Sequence, residues 1–433
     1  MGSSSGFDEQ SLQIFYSRLF PYEQMFDWLS YSHDPKDATD PDRDLFYRRE
    51  FSFTKANDVY IRYLSFKDAN EFKERVKKDQ PHKIDIGAVY SFPAKDHATV
   101  SQSKFRPLYR ELVFDVDLTD YEEVQTKGTT PDKSIWSRNA WLYMACAIKV
   151  VDSALREDFG FEHLLWVFSG RRGVHCWVCD DSALKLEDNE RTAIVEYLTL
   201  ITGAGKSTSG GGDNLDQRIR LTTPRHPSVR RAVEICRPMF LKVCISDTEG
   251  QGILATEERW QRVLAMVPNV DGIRETLANE WRSSASSSSS EKRWNQLEAT
   301  VKATARGSKA TAWESDELLK ALDSIVLFHV YPRLDVNVST HRNHLLKSPF
   351  VVHPKTGNVC VPILNVQKCE SFDPDNVPTL QTLIKELEDA KERTSLNPIL
   401  DKFESQFLGP LKKSARARTR SRQEKLAAVT GAW

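Results

Sequence analysis

Long apolar runs, cysteines and an excess charge of one sign are all scarce in this 433-residue chain. No apolar run approaches the length of about 18 residues that marks a membrane-spanning helix, and the first residues do not form a secretion signal. We therefore expect a soluble, unexported protein that does not bind a membrane. Lysine and arginine number 60 and aspartate and glutamate 61, which gives a formal net charge of −1. Any binding to a polyanion must therefore depend on local clusters of charge.

Seven cysteines are few for this length, and their number is odd. Cys176 and Cys179 form a C-x-x-C pattern, but they lie in an apolar run that alternates like a strand. Residues three apart in a strand point to opposite faces, so these two thiols cannot bind one ion together. We therefore predict buried, reduced cysteines rather than disulfides or a metal site.

The composition is that of a folded protein. Apolar residues make up 40% of the chain and charged residues 28%, with 21 Phe, 12 Tyr and 10 Trp, which excludes a wholly disordered chain. The length indicates two or three folding units. Because helical and strand patterns are interleaved, we predict a mixed α/β (α+β) fold.

Apolar spacing predicts the individual elements. Helical spacing occurs at Tyr22–Leu29, Trp141–Leu155, Thr256–Trp281 and Trp294–Phe328. Alternation predicts strands at Val59–Phe66, Ile84–Tyr90, Glu111–Leu118, Leu164–Phe168, Val174–Cys179, Arg333–Ser339 and Cys360–Leu364.

Changes in composition predict how the chain is divided. Residues 1–199 and 331–410 are expected to form one discontinuous α/β unit, and residues 200–330 a mainly helical insert with a serine-rich linker at 283–290. The tail at 411–433 is rich in lysine and arginine and has almost no aliphatic residues before its end. We predict that it is disordered. It could serve nuclear import, contact nucleic acid, or simply be solvated.

Two aspartates share one face of a predicted strand. In Glu111–Leu118, alternation places Asp115 and Asp117 together on the face opposite Phe114 and Val116. At about 5 Å and an effective dielectric near 20, their repulsion amounts to roughly 3 kcal/mol. A bound cation would relieve it, and hard oxygen ligands suit Mg²⁺ or Mn²⁺. Taken alone, the pair also fits a solvent-facing edge strand.

A third aspartate repeats this pattern far along the chain. The run Arg333–Ser339 carries Asp335 on one predicted face, between Leu334 and Val336 on the other. Three strand-borne carboxylates would allow a two-metal site for displacement at phosphorus.

Two basic segments accompany the carboxylates. The first joins two apolar strands and contains two glycines, which permit a tight turn with backbone N–H groups facing an anion. Its polar side chains, suited to phosphate oxygens, are Ser169, Arg171, Arg172 and His175. The second follows the third aspartate and contains His344, Lys347 and His353. A basic surface hairpin is the alternative for the first segment, but the combination with three carboxylates favours a nucleoside triphosphate site.

Five segments resemble the catalytic small subunit of eukaryotic DNA primase. They are YRREFSFT, HKIDIGAVYS, ELVFDVDLTDY, FSGRRGVHCWVCD and PRLDVNVSTHRNHLLKSPFVVHPKTG. The resemblance extends from about Gln13 to Leu408 and is weakest between Gly203 and Asp323. It implies the primase-type catalytic fold with mixed sheets, interrupted by a helical subdomain.

The resemblance also implies roles for individual residues. Two catalytic ions, Mg²⁺ or Mn²⁺, would be held by Asp115, Asp117 and Asp335. The triphosphate would be bound by Ser169, Arg171, Arg172 and His175, with second contacts from His344, Lys347 and His353. Glu50 matches an acidic position near the catalytic centre, and Arg62, Lys83 and Asp85 match other positions that line the site.

The implied reaction is template-directed joining of ribonucleoside triphosphates into a short RNA primer on single-stranded DNA. The implied partners are the large primase subunit and the DNA polymerase alpha complex, and the implied location is the nucleus. Two alternatives remain open: a stand-alone primase–polymerase that extends with deoxynucleotides, and a non-catalytic nucleotide-binding scaffold. We expect neither, because no helicase or zinc-finger module is appended and all three aspartates and both basic segments are present.

One segment departs from the family pattern. The family carries four zinc-binding cysteines after the strand with the two aspartates, whereas this chain has Lys127, Gly128, Ser137 and Ala140 at what resemble those places. None of these can replace a thiolate, so we expect no zinc, and a mobile loop from Thr126 to Arg138. No four-cysteine set for an iron–sulfur cluster is evident either, and the family's cluster belongs to the large subunit.

Overall fold

The computed structural model describes residues 8–31, 33, 42–121, 138–201, 219, 221–284, 288–389 and 392–430. Its strands are β1 Arg49–Thr54, β2 Tyr60–Leu64, β3 Lys83–Tyr90, β4 Pro107–Tyr109, β5 Leu112–Asp117, β6 Leu164–Phe168, β7 Gly173–Val178 and β8 Leu346–Lys347. Its helices are α1 Glu9–Arg18, α2 Tyr22–Leu29, α3 Leu45–Arg48, α4 Ala69–Asp79, α5 Arg138–Glu157, α6 Asp181–Lys185, α7 Asp188–Leu198, α8 Pro227–Phe240, α9 Glu257–Ala265, α10 Ile273–Ser283, α11 Ser290–Arg306, α12 Ala312–Val330, α13 Val336–Thr340, α14 Leu380–Glu388, α15 Asn397–Phe403 and α16 Gly409–Thr430.

The strands form two antiparallel sheets. The larger has the order β2-β1-β3-β4, with β8 also paired to β3, and the smaller has the order β5-β7-β6. Together with the helices, the sheets make the mixed α/β fold expected from the sequence. The hairpin of β6 and β7 pairs Phe168 with Val174, as their alternating patterns predict.

The three strands of the smaller sheet are almost completely buried. All of β6 and β7 is buried, and in β5 every residue is buried except Asp115 and Asp117, which are half-buried. Helix α5 packs against this sheet through its apolar stripe, and Trp141 at its start donates a hydrogen bond to the carbonyl of Cys369 (2.7 Å). The smaller sheet is therefore a rigid support for the two aspartates.

Helices α8 to α12 occupy most of the described residues between 227 and 330, as the spacing predicts, although each of the two predicted helical stretches is divided into two helices. Cys236 of α8 contacts Cys146 of α5 (Sγ–Sγ 3.4 Å), so α8 packs against α5. All seven cysteines are free and buried, which confirms the prediction of reduced thiols. Among the described helices, none is long and apolar enough to cross a membrane.

Two predicted strands are wrong. Arg333–Ser339 does not form a strand, because the side chain of Asp335 accepts a hydrogen bond from the amide of Asn337 (3.1 Å) and caps α13. Cys360–Leu364 forms no regular strand either, although it runs beside β6 through one bridge between Val167 and Pro362. The amide of Phe168 donates to the carbonyl of Val361 (2.9 Å), and the amide of Ile363 donates to the carbonyl of Trp166 (2.8 Å).

The prediction of a disordered tail is also wrong as far as Thr430, because α16 occupies residues 409–430. Leu411 and Ala415 are buried, and Lys412 forms an ion pair with Asp27 of α2. Alanine, arginine and lysine are strong helix formers, so a basic sequence with two buried anchors becomes a docked helix. The predicted mobile loop at 126–138 lies outside the described residues apart from Arg138.

Candidate active site

Strand pairing aligns the two aspartates of β5 with the hairpin. In the register of β5 and β7, Asp115 lies opposite His175 and Asp117 opposite Gly173. Asp115 Oδ1 is 3.6 Å from His175 Nε2, and Asp117 Oδ1 is 3.7 Å from Arg172 Nε. The pairing of two neighbouring strands thus brings predicted metal ligands and predicted phosphate ligands together.

The third aspartate reaches the same place through backbone contacts. The amide of Asp335 donates to the carbonyl of Asp115 (3.1 Å), and Ser339 Oγ of α13 donates to the carbonyl of Val113 (2.6 Å). Arg333 anchors the approach by donating to the carbonyl of Asp120 (2.6 Å). Although no strand forms here, Asp335 lies beside β5.

Burial and neighbouring carboxylates raise the pKa of two aspartates here, Asp115 and Asp120. Burial, together with the charges of Asp117 and Asp335, raises the pKa of Asp115 to about 7, against the opposing effect of Lys347. Burial and the same two aspartates also raise the pKa of Asp120. A bound cation would stabilise the ionised form of these carboxylates.

The donor set fits a hard cation, because it consists of carboxylate oxygens only. Within the described residues, no three His, Cys, Asp or Glu side chains are grouped tightly enough to enclose an ion. Asp115, Asp117 and Asp335 therefore line one cleft as mutually repelling groups without closing on one point.

The hairpin between β6 and β7 is held by its own hydrogen bonds. Ser169 Oγ accepts from the amide of Gly173 (3.0 Å), and the amide of Ser169 donates to the carbonyl of Gly173 (2.9 Å). Gly170 has a φ of 89°, and a Cβ there would lie 2.7 Å from His353 Cβ. A Cβ on Gly173 would lie 2.6 Å from the carbonyl oxygen of Val116. Both glycines are thus required by close approach of the backbone to its neighbours.

The second basic segment closes over this hairpin. Lys347 Nζ donates to the carbonyl of Ser169 (2.9 Å), and Lys347 lies opposite Asp85 in the pairing of β8 with β3. Burial and the charges of Lys347 and Arg171 lower the pKa of His353 to about 3. Burial, with Lys347, likewise lowers the pKa of His175 to about 3, and burial lowers that of His344. These histidines are neutral near pH 7, so any phosphate contact from them is an N–H donor without a formal charge.

The two basic segments and the three aspartates line one cleft of about 370 Å³. Three residues of that lining were not predicted from the sequence because they are apolar: Val338, Leu345 and Leu346. Asp120 was also missed, although its position three residues after Asp117 in the segment LTDY was a visible signal.

Four predicted site residues do not line this cleft but lie on the larger sheet. Glu50 is fully buried and accepts hydrogen bonds from Arg62 Nε (2.9 Å) and Tyr90 OH (3.2 Å). Asp85 accepts from Ser52 Oγ (3.0 Å), and burial raises its pKa. Lys83 is exposed at the start of β3. Of the four, Asp85 is connected to the cleft through its strand partner Lys347.

Comparison with known proteins identifies the family. A family model described as DNA primase small subunit matches residues 114–364. The DNA primase small subunit of Schizosaccharomyces pombe is 39% identical over 381 residues, which cover 88% of this chain and 78% of that protein. The Drosophila melanogaster protein of that name is 39% identical over 379 residues, covering 88% of this chain and 82% of its own. The Saccharomyces cerevisiae protein is 32% identical over 425 residues, covering 97% and 96%. The chain therefore belongs to the DNA primase small subunit family.

Proposed function

We propose that this protein synthesises short RNA primers on single-stranded DNA at the start of DNA replication. Membership of the family makes it a nucleotidyltransferase-type polymerase and one subunit of a larger assembly. The observation that carries the finer proposal is the convergence of Asp115, Asp117 and Asp335 with the Ser169–His175 hairpin in one cleft. In-line displacement at phosphorus requires carboxylates that hold metal ions and, opposite them, hydrogen-bond donors that bind the phosphate oxygens.

The proposed roles of the individual residues are supported by their positions around the cleft. Ser169, Arg171 and Arg172 bind the triphosphate, and Lys347 both supplies charge and holds the hairpin through the carbonyl of Ser169. His175 and His353 donate from neutral rings, and His344 has the same role at the edge of the cleft. The chain's contribution to the chemistry is thus positioning and neutralisation of phosphate charge.

Divalent ions, Mg²⁺ or Mn²⁺, would be held by Asp115, Asp117 and Asp335. When bound, they supply charge neutralisation at the triphosphate and a lowered pKa for the attacking hydroxyl. Glu50, Arg62, Lys83 and Asp85 support the site from the larger sheet, where the buried Glu50 fixes the Arg62 guanidinium. No role for zinc or an iron–sulfur cluster in this chain is proposed.

The proposed partners are the large primase subunit and the DNA polymerase alpha complex, with single-stranded DNA, ribonucleoside triphosphates and the RNA primer as substrates and product. The proposed location is the nucleus, in keeping with the eukaryotic relatives.

The test is incorporation of labelled ribonucleotides and deoxynucleotides on a single-stranded template with Mg²⁺ or Mn²⁺. We expect primers made from ribonucleotides without a pre-existing 3′ end. Preferred extension with deoxynucleotides would instead identify a stand-alone primase–polymerase. Nucleotide binding without any product would identify a scaffold.

A further inference from the structure

Beside the cleft, the larger sheet carries four aromatic side chains that we call the aromatic shelf: Tyr63, Tyr90, His97 and Phe105. Tyr63 stacks on His97 (centroids 4.0 Å apart, rings inclined by 15°), and Tyr90 stacks on Phe105 (4.4 Å, 11°). Tyr63 also meets both members of the second pair edge-on. The cluster packs on the sheet separately from the main core.

The backbone is distorted where the shelf begins. Phe51 pairs with Leu64 and Phe53 with Ile61, so Ser52 faces a bulge that contains Arg62 and Tyr63. Tyr63 has a φ of 59°, a conformation that L residues rarely adopt inside a strand. The bulge directs Arg62 to Glu50 and over the Tyr63 ring (4.9 Å). Backbone strain of this kind is concentrated at functional sites.

One residue of the aromatic shelf, His97, is exposed to solvent, and two basic side chains lie next to the shelf in the sequence. His97 is exposed although its ring stacks on Tyr63, so a further flat ring can stack on it from the solvent side. Lys104 and Arg106, on either side of Phe105, are exposed and form no ion pair with any described residue. Stacked rings next to uncommitted cations match the bases and phosphates of a single strand.

Glu50 connects the aromatic shelf with the lining of the cleft, because a Cβ on Gly87 would lie 3.2 Å from Glu50 Cβ and 2.9 Å from Cδ2 of Leu345, which lines the cleft. Glu50 accepts hydrogen bonds from the amide of Tyr63 (3.2 Å) and from Tyr90 OH (3.2 Å). Along β3, Tyr90 is about 17 Å from Asp85, the strand partner of Lys347 in the cleft. A strand with one base opposite the bound nucleotide can therefore extend over the shelf.

We propose that the aromatic shelf, with Lys104 and Arg106, binds the unpaired template strand next to the reacting base. This proposal rests on the proposed function, because it assigns the template a path on the same face as the nucleotide site. The RNA–DNA duplex and a protein partner are the competing occupants.

The experiment measures binding of a fluorescein-labelled oligothymidylate to the full chain by anisotropy, over a series of salt concentrations. His97→Ala should weaken binding about five- to a hundred-fold, the effect of losing one base-stacking contact, and His97→Phe should restore it. Lys104→Ala/Arg106→Ala should make the log–log salt slope shallower by about 1.4, because each phosphate contact contributes about 0.7. The matched control is Lys292→Ala/Arg306→Ala, which removes two exposed cations from α11.

Three results would overturn the proposal. Unchanged single-strand binding in both shelf variants excludes a role of the shelf in binding nucleic acid. A loss confined to an RNA–DNA duplex probe assigns the shelf to the primer duplex. An equal loss in the control variant assigns binding to the overall field of charge.

Binding of a fluorescent ribonucleoside triphosphate to the unaltered protein separates this proposal from the proposed function. Absence of nucleotide binding contradicts the proposed function whatever the shelf does. Normal nucleotide binding with unaltered single-strand affinity in the shelf variants contradicts the shelf alone.

Discussion

The amide of Asp335 donates a hydrogen bond to the carbonyl of Asp115 (3.1 Å), although the two residues lie in distant parts of the chain. Since this bond joins backbones, the spacing of the two carboxylates does not depend on their side-chain charges. The fold thus holds Asp335 near Asp115, where its charge adds to burial and to the charge of Asp117 in raising the pKa of Asp115.

Asp115→Ala, Asp117→Ala and Asp335→Ala should each abolish primer synthesis and leave the fold intact. Removing one carboxylate relieves repulsion in the metal-free protein, which offsets the loss of side-chain hydrogen bonds such as the Asp335 cap of α13, so thermal stability should not fall much. Primer assays and thermal unfolding check this, with the exposed Asp389→Ala as control. Substantial primer synthesis by any of the three variants would remove that residue from the metal site.

Arg171→Ala and Lys347→Ala should chiefly weaken triphosphate binding. Losing a charge-assisted hydrogen bond costs roughly 1.5–3 kcal/mol, which is about ten- to a hundred-fold in affinity. Equilibrium nucleotide binding measures the effect, and Lys185→Ala, which removes an exposed ion pair with Asp181, is the control. If activity vanished at unchanged nucleotide affinity, a catalytic or structural role would replace the proposed one.

Gly170→Ala should damage the hairpin more than its backbone conformation alone explains. Gly160 and Gly170 both have positive φ, but a Cβ at Gly160 has no atom within 4 Å, whereas one at Gly170 lies 2.7 Å from His353 Cβ. Gly160→Ala should therefore cost only the conformational strain, about 1 kcal/mol. Compared with Gly160→Ala, Gly170→Ala should have a lower free energy of unfolding in urea and a weaker affinity for nucleotide. Equal behaviour of the two variants would mean that the contact with His353 is easily relaxed.

Glu111 should stabilise the protein in a pH-dependent way. The buried guanidinium groups of Arg49 and Arg110 lower the pKa of this buried carboxyl to about 2, from an ordinary value of 4.5. A folded-state pKa below the unfolded one gives stability that is complete above about pH 4.5 and is lost as the pH falls towards 2. By linkage the contribution is up to about 3 kcal/mol.

Urea unfolding of the unaltered protein and of Glu111→Gln, measured from neutral pH down to the acid limit, checks this. The difference in free energy of unfolding should shrink as the pH falls through that window. Glu74→Gln, on an exposed carboxyl, should show no such trend. A constant difference would mean that the arginines do not control the ionisation of Glu111.

The purified protein should contain no stoichiometric zinc. Lys127, Gly128, Ser137 and Ala140 provide no thiolate, and the nearest cysteine, Cys146, is buried in α5. Structural zinc requires four protein ligands. Elemental analysis, and thermal unfolding with a chelator that does not bind Mg²⁺, check this. One tightly held zinc per chain would mean that ligands are recruited from elsewhere.

Local sequence patterns were sufficient to predict the strands of the smaller sheet. Alternation over Leu112–Asp117 and across the β6–β7 hairpin predicted these three strands, and their register places Asp115 beside His175. A strand in this sheet has one period of two, so a few alternating residues are enough to show which side chains share a face.

Other features depend on contacts between residues far apart in the chain, which no local pattern encodes. Asp335 lies beside β5 because its amide bonds to the distant carbonyl of Asp115, and α16 is docked because Leu411 and Ala415 are buried against other parts of the fold. Glu50 is drawn into the larger sheet by Arg62 and Tyr90 rather than into the cleft. In each case, burial and hydrogen bonding in the assembled fold outweighed the local preference.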